Sequence, residues 1–216
     1  MELTVQAERT VRNRGKKPSS LRYYQDGPPA HVDLSTWRLT VSGIGVHELV
    51  LDYADLVSGF PQAVQDRRMV CVCNWSIRGV WQGVLLEDVL RAAGLADGDG
   101  FFLKQTSIGT PEKGKYESTI PLASALDRRA LLCHSLDGAP LPLERGFPLR
   151  LWDFGQYGYK SVKGLERLEV TDVFELGEWE LRAGYEKDGT IRPKRYWIVD
   201  RVEHRFVETP GEVTEF

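Results

Sequence analysis

From Thr36 onward the chain is a succession of short segments in which apolar and polar residues alternate, separated by turn residues. Period two is the pattern of a strand with one covered face, and pieces this short are buried only by pairing with one another. TWRLTVSG and VHELVLDY, broken at Gly43 and Gly45, read as a hairpin, and Asp52 to Leu56 as a short helix. AVQDRRMVCVCN, FFLKQTS, KYESTIPL, RALLCHS, FPLRLWD and VKGLERLEVTD read as further strands, with a turn at Leu136-Asp137-Gly138-Ala139-Pro140. LLEDVLRAAGL differs. Its Leu85, Leu86, Val89, Leu90 and Ala93 recur at helical spacing, and Gly94 supplies a stop. Strands outnumber helices, so a mixed, strand-rich α+β fold in a single domain is expected. Residues 1–30, basic and turn-rich, are expected as an arm over a domain of residues 31–216.

Composition removes several function classes. The net charge of -3, without a long basic run, argues against a nucleic-acid partner. No stretch reaches the ~20 apolar residues of a membrane span, and the N-terminus lacks the apolar core of a leader, so a cytoplasmic protein is expected. Three cysteines cannot close a set of disulfides, which fits a reducing compartment. The glycine fingerprints of dinucleotide and nucleotide sites, the zincin motif and the serine-hydrolase elbow are all absent. The four histidines, His31, His47, His134 and His204, sit in separate segments and read as surface or satisfied side chains.

Two stretches carry candidate chemistry. In MVCVCNWSIRGVW, strand alternation puts Cys71 and Cys73 on one face, and Cys133 with His134 would complete a zinc-type set. Against this, structural zinc sites usually place two residues between paired cysteines, and buried free thiols often only fill space. The stretch from Arg145 to Val170, RGFPLRLWDFGQYGYKSVKGLERLEV, gathers Arg145, Arg150, Lys160 and Lys163 with Trp152, Tyr157, Tyr159 and glycines. Ammonium groups beside close-approaching backbone suit a phosphate. A solvated loop with snorkelling lysines has the same composition. Both readings stand on the residues alone.

Taken in order, GPPAHVDLSTWRLTVSG, CVCNWSIRGVWQGVLLEDVL, LDGAPLPLERGFPLRLWDFGQYGYKSVKGLERLEV and GEWELRAGYEKDGTIRPKRYW resemble four segments of the sulfite oxidase family of molybdopterin-binding oxidoreductases. Within it, the branch of the protein-methionine-sulfoxide reductase catalytic subunit is the most similar. The resemblance implies a mixed α+β domain holding molybdenum on a single pyranopterin dithiolene. It implies Cys71 as the metal-ligating thiolate, with Cys73 at a variable position as a packed neighbour. A soft anionic sulfur suits molybdenum, and a single one leaves room for substrate. By the same resemblance Asn74 and Trp75 belong to the cysteine segment and Thr106 contacts the pterin. Arg145, Arg150, Lys160, Ser161, Val162 and Lys163 bind the cofactor, its phosphate in particular. Arg22, Tyr23, Gln25 and Asp26 belong to the arm that folds over it.

The resemblance also implies a function. Sulfite oxidases carry an Arg-Asn-His run in the arm, and this chain has Tyr24-Gln25-Asp26 there. An anionic substrate in a desolvated pocket requires a paired cation. The expected activity is therefore two-electron oxygen-atom transfer, with reduction of an S-oxide or N-oxide favoured and sulfite oxidation the alternative. Tyr24, Trp75 and Arg78 are expected at the rim of the substrate pocket, where Arg78 would be the residue able to restore an anion site. A non-catalytic binding module, or a zinc protein using Cys71, Cys73, Cys133 and His134, is the reading from another class. The chain ends before the family's dimerisation domain and carries no haem domain, so a monomer is expected. Its electrons would pass to or from a separate partner, a haem protein or a soluble carrier.

Overall fold

The structure, a computed structural model, describes residues 29–109 and 114–216. Among them the alternating segments pair into two sheets. The first contains β1 (Leu39–Gly43), β2 (Leu49–Leu51), β5 (Phe102–Ser107), β6 (Glu117–Pro121) and β10 (Leu165–Thr171), in the order β2-β1-β10-β5-β6. The second is built from β3 (Ala63–Cys71), β4 (Trp75–Leu85), β7 (Leu131–Leu136), β8 (Ala139–Pro140), β9 (Arg150–Trp152), β11 (Lys194–Ile198) and β12 (Glu203–Val207). Its path is β12-β11-β4-β7-β8, with β3 on β4 and β9 on β7. The strand-rich α+β expectation holds.

Four short helices join the strands of the described residues: α1 (Tyr53–Ser58), α2 (Leu86–Ala92), α3 (Leu122–Asp127) and α4 (Glu178–Ala183). Asp52 and Asp55 cap α1 reciprocally, each carboxylate accepting from the other's backbone N–H at 2.8 and 2.9 Å. Leu86, Val89 and Leu90 of α2 are fully buried with Leu39, Val41, Leu103 and Leu168 of the first sheet. Each such side chain stabilises by roughly 1.5–3 kcal/mol before chain entropy is set against it. A second core joins Met69, Cys71, Trp75, Trp81, Trp152 and Phe154 under the second sheet.

Two elements depart from the sequence reading. Trp75 to Leu85, expected as a loop between strand and helix, is an 11-residue strand at the middle of the second sheet. Gly79 and Gly83 disguise it, because glycine weakens a strand pattern. Gly83 sits so close to β7 that a Cβ there would stand 2.0 Å from the Leu132 carbonyl oxygen, and the ladder shifts register between Gln82 and Gly83. The segment after Gly177, expected as a tail, supplies α4, β11 and β12. The pairing of β11 with β4 is parallel and sets Trp197 beside Trp75. Asp137 and Gly138, both at positive φ, make the tight β7–β8 turn that Asp-Gly foretells.

Candidate active site

β3 ends at Cys71, and residues 72–74 turn the chain into β4. Strand alternation therefore stops before Cys73, and the two sulfurs do not share a strand face as expected. Asn74 closes the turn at φ 66, a left-handed conformation that asparagine tolerates, and its N–H donates to the Cys71 carbonyl at 3.0 Å. Cys71 is fully buried, and its Sγ accepts the Cys73 N–H at 3.3 Å. The Asn74 carbonyl accepts the Trp197 N–H at 2.9 Å, so β11 buttresses the turn. Trp75 stands opposite Cys71 in the hairpin and is buried.

A second group of side chains arrives from the β9 region. Arg150 and Lys163 form an isolated antiparallel bridge and are nearly fully buried. The Arg150 guanidinium donates to the Arg145 and Ser161 carbonyls at 2.8 and 3.4 Å and lies 3.6 Å from the centroid of the Trp152 ring. Lys163 Nζ reaches the Glu144 carbonyl at 3.4 Å. Burial holds the Lys163 ammonium far below the usual lysine range, and the charges of Arg150 and Arg145 add to this, while Cys71 and Glu144 oppose it. Arg145 is half-buried, and burial lowers it too. Thus Cys71, Arg145, Arg150 and Lys163, far apart in sequence, act on one electrostatic neighbourhood.

Backbone amides contribute less to this cradle than expected. Val162 donates its N–H to Gln105 Oε1 at 3.1 Å, and Lys160 and Ser161 donate theirs to the Tyr157 and Gly158 carbonyls. What remains is side-chain chemistry. Ser161 Oγ is buried without a partner among the described residues, as is Asn74 Oδ1 in the cysteine turn. Gly146, at φ 117, lets the chain approach: a Cβ there would meet Arg150 Cβ at 3.0 Å and Lys163 Cβ at 3.2 Å. A buried set of ammonium, guanidinium and hydroxyl donors fits a phosphate, and the one buried thiol that shares their field would, as a thiolate, fit a soft metal such as molybdenum. The described residues therefore fit the group that the sequence implied.

Other expected residues lie elsewhere. Arg78 pairs with Arg68 in the β3–β4 ladder, on the alternate face from Cys71 and Trp75. Its Nε bonds Asp66 at 2.8 Å and its Nη1 the Phe216 carbonyl at 3.2 Å, so it does not form part of a rim at Cys71. Lys160 is fully buried, but its ammonium pairs with Glu180 and donates to the Thr119 carbonyl at 3.1 Å. Thr106 bonds Glu117 at 3.1 Å in β5, next to the Gln105 that holds Val162. Arg22, Tyr23, Tyr24, Gln25 and Asp26 lie outside the described residues.

The zinc reading is overturned. Among the described residues no group of three or more His, Cys, Asp or Glu side chains is placed to hold a metal ion. Adjacent residues on a strand face opposite ways. Cys133 Sγ turns to the Ser135 carbonyl at 3.1 Å, burial raising its pKa to about 12, while the His134 ring bonds Ser135 Oγ and Gln62 Oε1, each at 2.8 Å. No described helix is long and apolar enough to cross a membrane.

The structure adds residues that sequence reasoning missed. Tyr185, on the loop after α4, lies within the electrostatic reach of Cys73 and Cys71. Burial, then the charges of Cys73 and Cys71, raise its pKa, so the hydroxyl keeps its proton at neutral pH. Tyr196 also feels Cys71; burial and its 2.7 Å bond to Tyr157 raise it as well. The available signal was the position of Tyr185 within GEWELRAGYEKDG, a segment already singled out.

Comparison with known proteins agrees with this geometry. Residues 26–179 match the family described as oxidoreductase molybdopterin binding domain. The uncharacterized oxidoreductase YuiH of Bacillus subtilis is 33% identical over 162 residues, covering 74% of this chain and 78% of that protein. YedZ1 of Azospira oryzae, whose name assigns it provisionally as a protein-methionine-sulfoxide reductase subunit, is 36% identical over 160 residues, 73% of this chain and 58% of its own length. The crystal structure of the sulfane dehydrogenase SoxCD from Paracoccus pantotrophus superposes with a TM-score of 0.61 over 83% of this chain and 46% of that one. At 20% identity that likeness speaks for the fold. The chain thus spans less than two thirds of the latter two proteins.

Proposed function

Because the chain belongs to the molybdopterin-binding oxidoreductase family, we propose that this molybdenum enzyme transfers an oxygen atom in a two-electron reaction, reducing a neutral S-oxide or N-oxide. The observation that carries the substrate class is the placement of Arg78, which is bound to Asp66 and the Phe216 carbonyl and not turned to Cys71. Apart from the cations assigned to the phosphate, the groups that share the field of Cys71 are the hydroxyls of Tyr185 and Tyr196. A sulfite dianion would be desolvated there without a dedicated cation. A neutral oxide needs only a hydrogen-bond donor.

Cys71 supplies the protein thiolate to the metal, and Arg145, Arg150, Ser161 and Lys163 hold the pterin phosphate. Thr106 sits behind them through Gln105, which accepts the Val162 N–H. When bound, the cofactor supplies the two-electron chemistry. The protonated Tyr185 hydroxyl holds the substrate oxygen, and Trp75 with Trp197 walls the turn against water. A separate haem protein or soluble carrier provides the electrons.

The test joins elemental analysis to two assays. Purified protein from a molybdenum-replete host should contain molybdenum and phosphorus equimolar with the chain, and Cys71→Ser should lose both metal and activity. With reduced viologen as donor, methionine sulfoxide or trimethylamine N-oxide should be turned over. Turnover of sulfite with cytochrome c, and of neither oxide, would overturn the substrate assignment.

A further inference from the structure

Two tryptophans of the second core pack against each other and are held differently. Trp81 and Trp152 are both buried, their ring centroids 4.9 Å apart at 66°. The Trp81 indole N–H donates to the Arg67 carbonyl at 3.0 Å, whereas the Trp152 indole N–H is buried with no acceptor among the described residues. Buried donors usually have a partner, so a ring kept at 152 for its polar edge would have one. The faces of Trp152 are what its surroundings use. Arg150 and Trp152 stand two apart on β9 and so share a strand face. The guanidinium carbon of Arg150 lies 3.6 Å from the indole centroid. Phe154 stacks on the same indole at 5.4 Å and 20°, and its own ring carries the Arg67 guanidinium at 4.5 Å.

The Arg145 and Ser161 carbonyls fix where two of the Arg150 donors end, at 2.8 and 3.4 Å. A ring face does something else: it fixes the plane in which all the guanidinium donors lie. A carboxylate would also hold Arg150, but it would cancel the charge that a phosphate needs. An aromatic face attracts a desolvated guanidinium and leaves its charge whole. We propose that Trp152 is a positioning residue, whose indole face holds the Arg150 guanidinium in the plane from which it donates to the cofactor phosphate, without neutralising it. The inference rests on the assignment of Arg150 to that phosphate, but the stack itself exists whatever anion Arg150 meets.

The experiment compares wild type with W152L, which removes the ring face, W152F, which keeps one, R150M and the W152L/R150M double variant. In the cofactor-loaded protein, release of the pterin on dilution, read by the fluorescence of its oxidised form, should be about fivefold to thirtyfold faster in W152L, the worth of a desolvated cation–π contact. W152F should recover most of that loss. Where W152L does not fold, tryptophans of rising fluorination placed at 152 alone keep the shape and weaken the negative face, and release should quicken with each fluorine. In the metal-free chain, urea unfolding should show the W152L and R150M losses failing to multiply in the double variant, since the two residues act as one unit. Inorganic phosphate should raise the unfolding midpoint of that chain more in wild type than in W152L. Release indifferent to fluorination or equal in W152F and W152L, losses that multiply, or an equal phosphate response would each overturn the positioning role. Wild type without molybdenum and phosphorus would instead overturn the functional assignment, while the metal-free measurements still decide whether the stack serves an anion.

Discussion

Lys160 and Lys163 lie three residues apart in one loop and are both buried, yet they are handled in opposite ways. Lys160 has a carboxylate: its ammonium meets Glu180, whose side chain is as deeply buried, and the Thr119 carbonyl completes the contact. Burial lowers its pKa while Glu180 holds it up. Lys163 faces the Glu144 carbonyl and the like charges of Arg150 and Arg145, and has no salt bridge among the described residues. A buried cation with an internal carboxylate is architecture. A buried cation set among other cations is a place for an anion from outside, and the proposed occupant is the pterin phosphate.

The comparison is easiest to break at its larger end. Lys160→Met leaves Glu180 charged and unpaired in the interior, and should cost about 3–5 kcal/mol in urea unfolding, most of it recovered when Glu180→Leu is added. Lys163→Met in the metal-free protein should cost nothing or stabilise, because it deletes a desolvated charge repelled by its neighbours. The same substitution should sharply lower the phosphorus and molybdenum retained on purification. The sign of its pH dependence also follows. The native pKa is depressed below the ordinary 10.5, so the unfolded chain binds the extra proton between the two values, and stability should rise with pH across that window in wild type but not in the variant. If the two lysine variants lost equal stability, the distinction would fail.

A third buried group sharpens the contrast with a smaller effect. His134 has neutral partners, Gln62 and Ser135, and burial lowers its pKa. Below 6.5 the unfolded chain accepts a proton that the native ring resists, so stability should fall as pH drops from 6.5 through the native value. Melting curves across that range should show a slope in wild type that His134→Gln removes.

These pairs also show why sequence reasoning succeeded where it did. The helical spacing from Leu85 to Ala93 and the alternation of β10 record burial on a single face, and burial is local in sequence. That Arg150, Ser161 and Lys163 gather in one buried group was legible because they share one short segment. Lys160 was indistinguishable from Lys163 without the position of Glu180, which comes from α4. Arg78 read as a pocket residue because it shares a segment with Cys71 and Trp75, while strand alternation turns it to the opposite face. Trp75 to Leu85 was hidden by glycines whose reason is close approach in space, Gly83 to the backbone of β7 and Gly79 to the side chains of Leu136 and Trp81.

The buttress between Asn74 and Trp197 carries a consequence for how the protein is made. The thiol-bearing turn leaves the ribosome well before the strand that braces it and the tyrosine that shares its field. At about 5–20 residues per second, the interval between Cys71 and Tyr185 is on the order of ten seconds. During it the nascent chain exposes a nucleophilic sulfur whose surroundings are still unsynthesised. A metal can therefore meet the braced turn only after those later segments have been made.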